Sequence, residues 1–315
     1  MTNKQETSDA NDEMTRMTSD DDLFDPAFLD RLRVLALQVR RRRRQRRQGP
    51  AQTPAAGHTR EFKDHRHYAR GDDYRSIDWR VFARLDRLFV RVFEEIQEYH
   101  VHVLIDCSTS MIEPCPRKRR DALRLTVAIG YLALSGGHRL SLHSISDTCR
   151  RELPPLKGQG HVHGLVEHCR KLAFTGPSDL AVSLPRFSAG NERRGIAFVI
   201  SDCLGGDPTK ALTALRTMRS WPAESHLIQV IDPAERSPAL EGELRLEDVE
   251  TGEQRRVWLT RDDLARYRTA FAGWCDEIAR TCASWQLDHV AWDTAQPFED
   301  QFLAFLERGS ALSGG

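Results

Sequence analysis

Short apolar runs alternate with amphipathic segments from residue 101 to the end of the chain. The pattern predicts strands over 101–105, 140–145, 196–201, 227–231 and 287–292. Between them, apolar residues recur at helical spacing and predict helices over 121–134, 162–174, 180–187, 210–218, 262–284 and 298–306. Strands that alternate with helices are typical of an α/β protein, so we expect a doubly wound, mostly parallel sheet with helices on both faces.

One segment departs from this alternation. Residues 241–260 hold two short alternating runs on either side of the sequence Glu250-Thr251-Gly252-Glu253. A glycine-containing loop between two such runs predicts a β-hairpin, inserted between a strand and the long helix 262–284.

The first hundred residues are organised differently. Residues 1–22 are acidic and lack hydrophobic periodicity, which predicts a disordered tail. Residues 23–48 are predicted to form an amphipathic helix: Asp25-Pro26 is a favourable start, an apolar stripe follows, and the helix ends in the arginine-rich run 40–47. Residues 49–56 form a linker. Residues 57–100 alternate aromatic and β-branched residues with charged ones and are predicted to be a β-rich segment that precedes the α/β domain of residues 101–308.

Composition adds little to this picture. The chain has 46 Lys and Arg against 46 Asp and Glu, so any electrostatic role must be local. Its seven cysteines show no C-x-x-C spacing, and neither a signal peptide nor an apolar run long enough for a membrane span is present. We therefore expect a cytoplasmic protein with reduced thiols and no transmembrane segment. Cys107 and Cys203 follow two neighbouring strand ends; the favoured interpretation is that both are inert packing residues, and the alternative is that their thiols approach each other.

Candidate chemistry lies at the ends of the predicted strands. The first strand ends in Asp106-Cys107-Ser108-Thr109-Ser110, the strand 196–201 is followed by Asp202, and Ser178 lies at a predicted helix start. Ligands of open α/β sheets bind at the carboxyl ends of strands. Carboxylate and hydroxyl oxygens there suit a small divalent cation, Mg²⁺ or Mn²⁺. The alternative is a cluster of turn and capping residues without a metal, because Ser and Asp are common in such positions.

Together these residues resemble the metal-ion-dependent adhesion site of von Willebrand factor A domains. In that family the first loop supplies one Asp and two Ser, a middle loop supplies Thr, and a later strand end supplies Asp. The resemblance implies a metal site formed by Asp106, Ser108, Ser110, Ser178 and Asp202. Ser178 replaces the threonine of the family and keeps its hydroxyl.

A longer segment resembles a more specific family. The run from Glu61 to Trp79, the sequence Val90-Arg91-Val92-Phe93-Glu94-Glu95 and the hairpin sequence 247–253 are similar to the bacterial "domain of unknown function 58" family, over about residues 57–306. This resemblance implies a von Willebrand factor A-like domain with an N-terminal β-rich elaboration, and an association with MoxR-type AAA+ ATPases.

Three functions remain open from the sequence. The favoured one is a Mg²⁺-dependent protein-binding adaptor, in which an acidic residue of a client completes the metal's coordination and a MoxR-type ATPase is the partner. A metal-dependent hydrolase would use a metal-bound water, but no catalytic constellation or general base is evident, so we predict no enzymatic activity. The arginine run could instead tether the protein to nucleic acid or a membrane. It lacks interleaved aromatic residues and a groove-reading motif, which argues against specific nucleic-acid binding.

Overall fold

A computed structural model describes residues 23–25, 27–35, 59–96, 98–190, 195–221, 223–240, 242–250 and 252–308. These residues fall into two compact units: one lies within Gln48–Glu98, and the other consists of the described residues on either side of it. The predicted tail, linker and arginine run lie outside the described residues. The main helices and strands, in chain order, are α1 (27–35), β1 (Thr59–His67), α2 (Trp79–Leu85), β2 (Phe89–Ile96), β3 (His100–Asp106), α3 (Pro116–Ser135), β4 (Arg139–Ile145), β5 (Cys149–Lys157), α4 (Val162–Lys171), α5 (Leu180–Gly190), β6 (Gly195–Ser201), α6 (Pro208–Thr217), β7 (Ala223–Ile231), α7 (Pro233–Arg236), β8 (Gly242–Glu247), β9 (Gln254–Leu259), α8 (Arg261–Ser284), β10 (Asp288–Asp293) and α9 (Phe298–Arg308).

A six-stranded sheet forms the centre of the larger unit. Its strand order is β10-β7-β6-β3-β4-β5, and every neighbouring pair is parallel except β4 and β5. Alternate residues of the central strands enter two different hydrophobic cores: Val103 belongs to one and Leu104 to the other. Each face of the sheet therefore has its own core beneath helices, which confirms the predicted α/β class with a mostly parallel sheet.

The antiparallel strand β5 was not predicted. It lies at the edge of the sheet, its residues are half-buried or exposed, and it contains Pro154 and Pro155. A proline cannot donate to a neighbouring strand and is tolerated only at an edge. Such a strand shows neither an apolar run nor a regular alternation, which is why the sequence pattern missed it.

The helix α1 belongs to the larger unit and buries its apolar stripe there. Phe28 and Leu32 are each 1% exposed, and the ring of Phe28 lies 5.5 Å from that of Phe298. Arg31 forms an ion pair of 2.8 Å with Glu299. Of the predicted helix 23–48, residues 23–25 and 27–35 are described, and the helix there covers 27–35, whereas 23–24 form a turn.

The smaller unit contains the antiparallel pair β1 and β2, as predicted for a β-rich segment. Within it, however, Trp79–Leu85 forms a helix in a stretch that we expected to be strand-like. The reason is local, because the Asp78 carboxylate accepts hydrogen bonds from the backbone N–H groups of Arg80 (3.0 Å) and Val81 (3.3 Å). This N-cap overrides the alternating pattern.

The predicted hairpin insertion is also present. β8 and β9 pair antiparallel from Gly242 opposite Leu259 to Glu247 opposite Gln254. The loop between them contains Glu250 and lies in the same compact unit as the large sheet.

Candidate metal centre at the carboxyl edge of the sheet

The strand order brings together the residues that the sequence placed at strand ends. β3 and β6 are neighbours, with Ile105 opposite Ile200, so Asp106 and Asp202 leave the sheet side by side. Ser178, from the loop before α5, reaches the same point and donates a hydrogen bond of 2.9 Å to Asp106. Four of the five predicted ligands are at most 2% exposed, and Ser110 is half-buried.

Asp106 is the centre of the cluster. One of its carboxylate oxygens, Oδ2, accepts hydrogen bonds from the hydroxyls of Ser178 (2.9 Å) and Ser201 (2.6 Å). The other, Oδ1, accepts from the backbone N–H of Ser108 (3.0 Å). Ser201 was not predicted as part of the site, because it lies inside an apolar strand and carries no motif.

The charge of Asp106 is poorly compensated. Burial and the nearby Asp202 carboxylate raise the pKa of Asp106, although three donors act in the opposite direction. Within the described residues, no Lys or Arg forms an ion pair with Asp106, whereas Asp202 has one with Lys118. A cation bound beside such a buried, unpaired carboxylate would stabilise its charged form.

The two serines of the first loop have a spacing suited to such a cation. Their hydroxyl oxygens, in Ser108 and Ser110, lie 3.1 Å apart. Adjacent ligands of an octahedral Mg²⁺ ion, each about 2.1 Å from the metal, are about 3.0 Å apart. The hydroxyl spacing, the oxygen-only donor set and the uncompensated Asp106 together fit a small hard divalent cation.

Lys118 is a component of the site that the sequence analysis missed. It is 0% exposed, and its ammonium donates to Asp202 at 2.8 Å and to Glu235. Burial by itself would lower the pKa of Lys118, but the two carboxylates outweigh it and raise that pKa above its usual value. Its sequence signal was hidden, because it lies in the basic run Arg117-Lys118-Arg119-Arg120 and looks like a solvated helix start.

Glu235 completes this buried ion-pair group from α7. Its other oxygen faces the backbone N–H of Asp232 at 3.4 Å, as part of a capping box at the end of β7. Burial raises the pKa of Glu235 and Lys118 opposes that shift. The sequence Asp232-Pro233-Ala234-Glu235 carried the signal of a helix start but not of a site residue.

The backbone beside Asp202 is in a strained conformation. Cys203 has φ +58° although it is not glycine. Its N–H donates to the Ser201 hydroxyl (3.0 Å), and its carbonyl accepts from the indole of Trp274 (3.1 Å). These bonds hold a conformation that costs on the order of 1 kcal/mol or more and thereby fix the direction of Asp202.

Glycines allow the three loops to approach closely. A Cβ atom on Gly205 would lie 2.4 Å from the Cβ of Ser178, so only glycine fits there. Gly176 has φ +84°, and its carbonyl accepts from the N–H of Thr109 (2.9 Å). The Ser178 loop is thus packed against both aspartate loops.

A carboxylate of the hairpin also reaches the site. Glu250 Oε1 accepts from the backbone N–H of Ser178 at 3.2 Å, and the Ser110 hydroxyl is a further hydrogen-bond partner. Burial raises the pKa of Glu250, and the carboxylates of Asp202 and Asp106 add to this effect. The alternating runs predicted this hairpin and the family resemblance included it, but neither assigned a role to Glu250.

The two cysteines that follow the aspartates do not share a core. Cys107 belongs to the hydrophobic core on one face of the sheet and Cys203 to the core on the other. The alternative that their thiols approach each other is therefore wrong. Successive strand ends are close in backbone, but side chains alternate between faces.

A second group of potential ligands lies at the opposite edge of the sheet. Glu224, His226 and Asp288 are near the amino ends of β7 and β10, with the His226 nitrogens 3.4 Å from Glu224 and 3.1 Å from Asp288. Burial lowers the pKa of His226, so its neutral imidazole lies between two carboxylates, and one ligand atom from each of the three residues lies within 4.8 Å of the others. Across the described residues, no helix combines the length and apolarity that a membrane crossing needs.

Three solved structures align with this chain at low sequence identity and with TM-scores below 0.5. BatB from Bacteroides thetaiotaomicron gives a TM-score of 0.39 at 12% identity, with 67% of this chain and 100% of that chain covered. An aerotolerance-related membrane protein from Bacteroides fragilis gives 0.42 at 13%, with 69% and 100% covered. A von Willebrand factor type A protein from Catenulispora acidiphila gives 0.35 at 16%, with 69% and 43% covered. Likeness at this level indicates nothing about what this chain binds.

Sequence relatives are more similar. The uncharacterized proteins Mb1516 of Mycobacterium bovis and Rv1480 of Mycobacterium tuberculosis are each 29% identical over 270 residues, which cover 82% of this chain and 83% of each relative. A family model described as "Protein of unknown function DUF58" matches residues 64–275, a shorter span than the 57–306 expected from the sequence. Since that match covers well over half of the residues, the chain belongs to the DUF58 family.

Proposed function

We propose that this protein is a divalent-cation-dependent adaptor that binds an acidic segment of a protein partner. The cation is Mg²⁺ or Mn²⁺, and five residues would hold it: Asp106, Ser108, Ser110, Ser178 and Asp202. The observation that carries the proposal is Asp106, a fully buried carboxylate without a cation partner in the described residues, next to two hydroxyls with octahedral spacing.

Each group has a separate task in this arrangement. The Asp106 carboxylate would bind the ion directly, and the hydroxyls that already contact it would help to orient it. Asp202 has its Oδ2 engaged by Lys118 and its Oδ1 accepting from the Leu204 N–H (3.0 Å), so it is held firmly beside the ion. A bound ion would supply an electrophilic centre that accepts a carboxylate of another molecule as a further ligand.

The family resemblance supports the choice of partner. It associates such proteins with MoxR-type AAA+ ATPases, so we propose an ATPase of this type as the partner and a client that supplies the acidic residue, in the cytoplasm. The charge of the site agrees with a metal-dependent role, because the ammonium of Lys118 pairs with Asp202 and Glu235, whereas no Lys or Arg of the described residues pairs with Asp106 or Glu250. The proposal includes no specific nucleic-acid binding.

Thermal unfolding with and without Mg²⁺ tests the proposal. A cation bound only by the folded site stabilises it by about 2.7 kcal/mol at a hundredfold excess over the dissociation constant. Asp106→Asn should lose this response, yet match or exceed the wild type in chelator, because one of two repelling carboxylates is gone. Asp147→Asn, at an exposed neighbouring loop position, is the matched control and should respond like the wild type. Equal Mg²⁺ responses of Asp106→Asn and wild type would refute the metal site.

A metal-dependent hydrolase is the second candidate, and Glu250 is the observation that favours it. Such an enzyme would need a general base near the ion, and Glu250 would be near it, because its carboxylate accepts a hydrogen bond from the backbone N–H of Ser178 (3.2 Å). Mn²⁺-dependent hydrolysis of p-nitrophenyl phosphate or acetate, lost in Glu250→Gln, would favour the enzyme over the adaptor. The third alternative, a tether through the arginine run, concerns residues outside the described part of the chain.

A further inference from the structure

The hairpin β8–β9 places a carboxylate where a partner's acidic residue would be expected. Its loop is internally braced: the Asp248 N–H donates to the Glu253 carbonyl (2.9 Å), and the Asp248 side chain accepts from the Glu250 N–H (2.9 Å). Gly252, with φ +71°, closes the turn. The position of Glu250 is therefore set by the turn of its own hairpin.

Glu250 differs from the other acidic residues of this hairpin. Glu253 is exposed and pairs with Arg255 at 2.8 Å, and Glu247 accepts from the Gln254 side chain at 2.7 Å. Glu250 instead turns inward and bonds to Ser178 and Ser110, which come from two different loops of the candidate metal centre.

This inward position is unfavourable without a cation. No Lys or Arg among the described residues forms an ion pair with Glu250, and besides burial, the negative charges of Asp202 and Asp106 raise its pKa. A third carboxylate beside two others is repelled unless a positive ion lies between them. The hydrogen bonds from Ser178 and Ser110 hold it there nevertheless.

We propose that Glu250 is an internal ligand of the metal, occupying the coordination position that an acidic partner would take. This inference rests on the proposed function and adds its regulation: the hairpin closes the site, and a partner's carboxylate binds by displacing Glu250. The apparent affinity for the partner then equals the affinity of the open form multiplied by the fraction of molecules in which the hairpin is open.

Mn²⁺ titration of the full-length protein tests this, with calorimetry for affinity and water-proton relaxation for the water bound to the ion. Acetate is the carboxylate probe. In the wild type we expect few exchangeable waters on Mn²⁺ and little effect of acetate. Glu250→Gln should weaken Mn²⁺ binding by about tenfold, because the ion loses one charged ligand. The water-proton relaxation rate should rise, and added acetate should then change that rate.

Two further variants keep the outcome interpretable. Glu250→Asp shortens the side chain by one methylene and should behave like Glu250→Gln, with circular dichroism verifying the fold. Glu253→Gln, on the same loop but paired with Arg255, should behave like the wild type. If Mn²⁺ binds through Asp106 but neither Glu250 variant changes the Mn²⁺ affinity, the relaxation rate or the response to acetate, Glu250 is not a ligand. The proposed adaptor function is then unaffected. If Asp106→Asn binds Mn²⁺ as the wild type does, the proposed function itself fails.

Discussion

Replacing Lys118 by methionine removes the ammonium that pairs with Asp202 and Glu235 at the candidate metal centre, while keeping a side chain of similar length. Lys118 is 0% exposed, and Asp202 and Glu235 both depend on it for charge compensation. Removing one partner of a buried ion pair costs about 3–5 kcal/mol, because the remaining charge stays buried. For a domain of this size that corresponds to a fall in melting temperature of roughly 6–20 °C.

The pH dependence of this loss has a defined sign. Burial raises the pKa of Glu235 even with Lys118 present, and removal of Lys118 should raise it further. A carboxyl whose pKa is higher in the folded than in the unfolded protein stabilises the fold at pH values below its pKa in the unfolded protein. That stabilisation is lost as the pH rises through its pKa in the folded protein. The deficit of Lys118→Met relative to wild type should therefore be smallest near pH 4.5 and grow towards pH 7.5.

Urea unfolding at several pH values measures this deficit, with and without Mg²⁺. The cation should stabilise Lys118→Met more than the wild type, because it replaces the missing positive charge. Lys210→Met, at an exposed position of α6, is the matched control and should change the free energy of unfolding by less than about 0.5 kcal/mol. A loss as small in Lys118→Met as in the control would refute the buried ion-pair group.

Two other predictions concern the core and the loops. Burial lowers the pKa of His102 from 6.5 to about 3 and that of His143 from 6.5 to about 4. The free energy of unfolding should therefore fall as the pH drops below 6.5, by about 1.4 kcal/mol per pH unit for each histidine. At pH 5 the two losses together amount to about 4 kcal/mol. His102→Phe should remove about half of that slope in urea unfolding, and an unchanged slope would contradict the assignment. Gly205→Ala should displace Ser178, lower the free energy of unfolding by about 1–3 kcal/mol and weaken the stabilisation by Mg²⁺ in thermal unfolding. Gly273→Ala, whose added methyl group meets no neighbouring atom, should cause none of these changes.

Apart from the short helix α7, the helices and parallel strands of the large unit were predictable from the sequence, because burial against a two-sided core imposes periodicities of 3.6 and 2 on the apolar residues. The prediction failed where a local interaction decided the structure instead. Trp79–Leu85 is helical because Asp78 caps it, and the edge strand β5 has no buried face to impose a pattern.

The positions of the five candidate ligands could also be located from the sequence, since each lies at a strand or helix boundary; that they hold a metal stays a prediction. Lys118, Glu235 and Glu250 could not be located in this way, because they come from α3, α7 and a distant hairpin. Nothing in a basic run or a surface turn distinguishes a residue that folding will bury from one that stays in water. The charge balance of the site, and with it the reason for a cation, arises only when the tertiary structure brings these side chains together in a low-dielectric space.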